Sequence, residues 1–249
     1  MRVITYNILD GGEDRIPVIT QILHNQHPDM IALQEANDRS NAEQLARALK
    51  MHLVFGEANS DYHVAWLSSL PVLQVRNYRL PVLHKTLLAI DVAWKGTTLH
   101  LCTTHLRAGY EDVYEEGRED EIKAILETIE PMLKEPLLLV GDLNAIAPGD
   151  PVALVPEGHR EHDERLLIKQ AKRLVIARIR EAGLVDCYRA LHPTEEGYTC
   201  DARRDAPCMR IDYCFASPSL AQDVRTCNVL SNELTSRASD HLPVQVDFA

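Results

Sequence analysis

Residues 137–145 read LLLVGDLNA. A short apolar run, a glycine and then two polar side chains is the pattern of a buried strand that ends at a site. Asp142 and Asn144 are two positions apart, so in extended backbone they point to the same side. Outward from this stretch the arrangement recurs: Asn7 follows VITY, Glu35 follows MIALQ, His105 follows LCTT, Asp212 follows MRI, and Asp240 with His241 precedes LPVQV. Strands are expected over 3–8, 30–34, 99–104, 137–141, 211–216 and 244–248, and helices over 17–25, 41–50, 119–134 and 164–182. The segment 64–92 is apolar and broken by prolines, which reads as a strand meander and argues against a purely parallel doubly wound sheet. The expectation is an α/β chain with two mixed β-sheets packed together.

The composition of the 249 residues, 45% hydrophobic and 25% charged, excludes collagen-like, disordered and disulfide-scaffold classes. Apolar runs such as PLLLV (136–140) fall far short of the roughly 20 residues of a membrane-spanning helix. Met1 leads straight into strand-like residues, without the basic and apolar regions of a secretory signal, so a cytoplasmic protein is expected. The six cysteines form no C-x-x-C pair and are expected to be reduced. A net charge of −11 disfavours a broad cationic surface for duplex binding, although residues 159–180 form a basic amphipathic segment. Its plainer reading is a helix with a solvated face.

Singly, each carboxylate or imidazole at a strand end reads as a turn former or cap. Converged, they suit one chemistry. Glu35 and an Asp offer hard oxygen ligands for Mg2+ or Mn2+, which bind through one or two carboxylates and substrate phosphate. Asp142 is placed to take a proton from a nucleophilic water, with Asn144 orienting the water or the phosphate. A His held by an Asp favours its protonated form, which stabilises charge on a phosphorane-like species. The sum is metal-assisted phosphoester hydrolysis.

The ordered series TYNI, LQE, TTHL, GDLNA, RIDYCF and SDHLPV resembles the endonuclease/exonuclease/phosphatase superfamily, the DNase I-like group, in a generic bacterial form. AWLSSLPV and the pair Arg118 and Glu121 echo further family segments. The resemblance implies one domain over residues 1–249, a four-layer αββα sandwich with its site at one edge. It implies Glu35 as principal metal ligand with Asn7 beside it and Asp240 at or near the metal, the metal being Mg2+ or Mn2+. His105, Asp142, Asn144, Asp212 and His241 would form the catalytic set, with Asp212 orienting His241, and Asn144, His105 and Arg107 would contact the substrate. Whether Asp142 or His241 is the base stays open.

TTHLRAG stands where exonuclease III-type abasic endonucleases carry Tyr-Pro-Asn, and GDLNAIAPGDP departs from the inositol 5-phosphatase and tyrosyl-DNA phosphodiesterase patterns. What is left is a phosphodiesterase or nuclease acting on a phosphoester substrate, nucleic acid among the candidates. The rival reading is a small-molecule or lipid phosphoesterase of the same superfamily, favoured by acidity and a low aromatic content of 5%. A non-catalytic binding protein is a remoter alternative. His159 and His162 share a helical face but lack a third ligand, and Trp66 and Trp94 read as core packing.

Overall fold

The computed structural model describes residues 1–153, 172–200 and 208–249. Twelve strands of the described residues form two six-stranded sheets. The first is ordered β11 (Val224–Val229), β12 (Val244–Phe248), β1 (Arg2–Asn7), β2 (Met30–Gln34), β4 (Val64–Ser68), β3 (His52–Gly56). The second runs β5 (Val72–Tyr78), β6 (Leu87–Trp94), β7 (Thr97–His105), β8 (Leu137–Asp142), β10 (Asp212–Ala216), β9 (Val185–Asp186). Both sheets are mixed, each with a single parallel pair: β1 with β2, and β7 with β8.

Alternation along each strand dictates the layering, because successive side chains leave opposite faces. Val3, Met30, Ala32 and Trp66 of the first sheet meet Leu88, Leu101, Leu138 and Val140 of the second in the central core. Their neighbours Ile4, Tyr6, Ile31 and Leu33 face outward onto α1 (Ile16–Gln26) and α2 (Arg39–Leu49) through Ile19, Leu23 and Leu45. On the far side, Cys102, Leu139, Tyr213 and Phe215 face α3 (Asp112–Ile129) and α4 (Leu174–Glu181) through Ile122, Ile125, Val175 and Ile179. The result is the expected four-layer αββα sandwich of two mixed sheets.

Most expected elements occur within a residue or two of their bounds, and the 64–92 meander resolves into β4, β5 and β6. The third helix is displaced: α3 begins at Asp112 and stops at Ile129, ahead of Pro131. Acids at Asp112 and Glu115 complement the partial positive charge of its first turn. Trp66 is fully buried and Trp94 packs half-buried against Phe248. Cys102, Cys187, Cys214 and Cys227 are buried thiols. Of the expected 164–182 helix, residues 164–171 lie outside the described residues, as do His159 and His162; the remainder is α4, whose Arg178 pairs with Glu119 of α3. Among the described residues no helix is long and apolar enough to cross a membrane.

Candidate active site

The same pleat that builds the central core delivers the site. On the inward faces, Val3 leads through Thr5 to Asn7, Leu101 through Thr103 to His105, and Leu138 through Val140 to Asp142. Apolar residues give way to hydroxyls and an amide just before the strand ends: Thr5 donates to Gln34 (3.1 Å), whose amide donates to Thr103 (2.9 Å), stitching the sheets together. The carboxyl ends of both parallel pairs therefore open at one edge, joined there by the start of β10. Asp212 stands opposite Asp142, and Asp142 opposite His105, in the sheet register.

Gly141 makes the sharp approach between β7 and β8 possible. Its φ is +143°, and a Cβ there would lie 1.9 Å from the Thr104 carbonyl oxygen. Leu9, Asp10, Glu35 and Asn144, none of them glycine, all have positive φ. Strained backbone of this kind persists only where surrounding contacts over-determine it, and functional sites collect it.

Asn7 is the hinge of one carboxylate cluster. Its Nδ2 donates to Glu35 Oε1 (3.1 Å) and to Asp142 Oδ2 (3.0 Å), joining residues 135 apart in the chain. The other oxygen of Glu35 accepts from the Asp10 backbone N–H (2.9 Å). Burial raises the Glu35 carboxyl above its usual range, partly offset by these two donors. Asp240 is half-buried and accepts a hydrogen bond from the Ser239 hydroxyl (3.3 Å), which also donates to the Asn7 carbonyl (2.8 Å).

The acid–base side centres on two buried imidazoles. His241 Nδ1 lies 2.8 Å from Asp212 Oδ2, and its Nε2 lies 3.8 Å from Asp142 Oδ2. Burial pushes the His241 imidazole down, but Asp212 and Asp142 more than reverse this and raise it to about 10. His105 Nε2 lies 3.3 Å from Asp142 Oδ2. There burial, reinforced by Lys85 and His241, drives the imidazole well below its ordinary value, so it is neutral. Burial raises Asp142 to about 6, against the pull of His241. Asn144 donates its backbone N–H to Asp142 Oδ1 (2.9 Å) and its Nδ2 to the Leu106 carbonyl (3.0 Å).

All the sequence-identified residues except Arg107 converge on this cluster. Arg107 is turned back toward α3, its Nε 3.3 Å from Glu121. Arg118 and Glu121 brace this loop: Arg118 donates to the carbonyls of Arg107 (3.0 Å) and Gly109 (2.8 Å), and Glu121 accepts the N–H groups of Arg107 (3.1 Å) and His84 (2.7 Å). Sequence reasoning missed Lys85. It is 4% exposed, and burial lowers its ammonium to about 8 against the attraction of Asp142 and Glu35. Its sole signal in the sequence is a lysine one residue before the TLLAIDV run.

The donor set fits a hard divalent cation. Glu35, Asp142 and Asp212 bring three carboxylates together against the cations His241 and Lys85, Asp212 Oδ1 is buried without a partner, and Asp142, Asp212 and His241 can each turn one ligand atom to a common point. Within that trio, His241 Nδ1 is already bound to Asp212.

A sequence profile of the Endonuclease/Exonuclease/phosphatase family matches residues 4–241. An exodeoxyribonuclease of Bacillus subtilis (strain 168) is 30% identical over 119 residues, 45% of this chain; the matched region spans 44% of that relative's length. Among solved structures, an AP endonuclease from Archaeoglobus fulgidus superposes with a TM-score of 0.78 at 21% identity, covering 100% of this chain and 99% of its own. The 3'-5' exonuclease NExo from Neisseria meningitidis gives 0.75 at 25% identity, covering 100% and 99%.

Proposed function

This chain belongs to the Endonuclease/Exonuclease/phosphatase family, and we propose that it is a divalent-metal-dependent phosphoester hydrolase, a nuclease or other phosphodiesterase with residues 1–249 as one catalytic domain. The observation that carries this reading is the buried cluster at the sheet edge in which His241 Nδ1 lies 2.8 Å from Asp212 and its Nε2 3.8 Å from Asp142. A carboxylate beside an imidazole that a second carboxylate holds protonated can take the roles of base and acid. At neutral pH Asp142 is ionised and accepts a proton from the attacking water, while His241 is protonated and presents Nε2–H to the phosphate or the leaving oxygen. Asp212 holds the His241 ring by Nδ1. Neutral His105 supports Asp142, and Asn144, with one amide hydrogen on Leu106, has the other for a phosphate oxygen.

Glu35, Asn7 and Asp240 would hold the metal, Mg2+ or Mn2+, which supplies Lewis-acid charge to the phosphate when bound. Nucleic acid is the substrate class favoured by the exonuclease relatives. The buried thiols fit a reducing compartment, the cytoplasm. The test is nicking of supercoiled plasmid at low salt with Mg2+ or Mn2+ against chelator, with His241→Ala as the contamination control. Metal-dependent nicking lost in the variant supports a nuclease. Intact plasmid with hydrolysis of small phosphoesters moves the substrate to that class, and inertness toward every phosphoester removes the reading.

A further inference from the structure

Lys85 is a buried cation that the chemistry above leaves without a task. Its Nζ donates to the Leu106 carbonyl at 2.8 Å and lies 5.4 Å from the centre of the Tyr62 ring, while no carboxylate of the described residues forms an ion pair with it. Burying an ammonium is costly, and lysine is among the residues least often found inside. A neutral hydroxyl or a water would satisfy one carbonyl at less cost.

The carbonyl it holds is also where Asn144 Nδ2 docks, at 3.0 Å. A carbonyl oxygen has two lone pairs, and these two donors occupy them. The Leu106 N–H donates to the Asp142 carbonyl (3.0 Å), so both backbone polar groups of this residue are held. The lysine is itself registered against this loop, because His84 and Arg107 both donate their N–H groups to Glu121. Asn144 has a φ of +46°, in the left-handed region where asparagine is among the commoner non-glycine residues.

We propose that Lys85 is a positioning residue of the phosphate site: by fixing the Leu106 carbonyl it sets the direction of the Asn144 carboxamide and so the hydrogen that Asn144 offers to substrate. The inference rests on the phosphoesterase reading for its consequence, but its geometric core is testable without turnover. In the wild-type protein, Asn144→Ala identifies the side-chain amide pair of Asn144 by its loss from the 15N NMR spectrum. Lys85→Met, which keeps length and removes the charge, is expected to shift and broaden that pair with the melting temperature retained; Lys85→Arg restores it in part. An unmoved Asn144 amide in folded Lys85→Met overturns the proposal.

The kinetic test uses bis(p-nitrophenyl) phosphate with Mn2+. Misplacement of a reacting group by about 1 Å costs on the order of 100-fold, so Lys85→Met is expected to lose about 10- to 100-fold in kcat with KM little changed. The Lys85→Met/Asn144→Ala double variant should be no slower than Asn144→Ala alone, since both remove one function. Multiplicative losses, or a change confined to KM, overturn the coupling. A wild-type protein inert toward this ester, plasmid and small phosphomonoesters would sink the phosphoesterase reading, while the amide spectrum decides the positioning of Asn144 separately.

Discussion

His241 and Asp212 form a buried pair, Nδ1 to Oδ2 at 2.8 Å, in which the carboxylate holds the imidazole protonated and aimed. In metal-free protein the His241 ring should therefore titrate at about 10 by NMR, and Asp212→Asn should bring it down by about 1–3 units. Because the folded value lies above the unfolded one, the stability contributed is complete below about 6.5 and is lost as pH rises toward 10. The wild-type melting temperature should fall across this window more steeply than that of Asp212→Asn. An unshifted His241 in the variant would show that the pair is not the cause.

Asp142 has a linkage of the same sign in a lower pH window. Its folded value of about 6 exceeds the ordinary 3.8, so the folded state holds the proton longer and stability declines as pH rises between those values. Asp142→Asn should raise the melting temperature at pH 7 while removing turnover, and the wild-type rate should rise with pH through about 6. A less stable Asp142→Asn would contradict the burial argument.

Glu35 carries the metal assignment. Glu35→Gln keeps the size and removes the charge, and a calorimetric Mn2+ titration should show affinity reduced by at least about tenfold, the scale on which even outer partners act. An unchanged isotherm removes Glu35 from the ligand set.

Arg210 is buried between Asp150 (2.7 Å) and Asp186 (2.8 and 3.0 Å) and stacks 4.4 Å from the Tyr213 ring. It ties the loop after GDLN to the start of β10, two residues from Asp212. Arg210→Met removes one of two arginine partners from each carboxylate, Asp150 keeping Arg189 (3.0 Å) and Asp186 keeping Arg180 (3.0 Å), so the loss should stay below the roughly 3–5 kcal/mol of a fully unpaired buried charge; denaturant unfolding should show it. The half-exposed pair Arg2 and Asp247 should be worth at most about 1 kcal/mol.

Gly141→Ala places a methyl on the Thr104 carbonyl. It should separate β7 from β8 at the point where His105 faces Asp142, losing activity along with stability. A stable, active alanine variant would refute the close approach.

Much of this was legible from the order of residues. The period of two along LLLVGD and VITYN states which side chains share a face, and a polar residue ending an apolar alternation marks where the face leaves the core. That reading placed Asn7, Glu35, His105, Asp142, Asn144, Asp212 and His241 at strand ends, and the family resemblance implied that the strand ends meet at one edge. It says nothing of side-chain direction where no local period exists. Lys85 precedes a strand like any loop lysine, and Arg107 points to Glu121 because Gly117 lets it lie against α3.

The sequence by itself determined the strand faces, the order of the motifs and the chemical types at the strand ends, because these follow from local backbone geometry and side-chain chemistry. Only the tertiary structure decided which carboxylates and imidazoles meet, how deeply each is buried and that a lysine is buried beside them. Those properties depend on desolvation and on distances between segments as far apart as Asn7 and Asp142, set when the two sheets pack and not before.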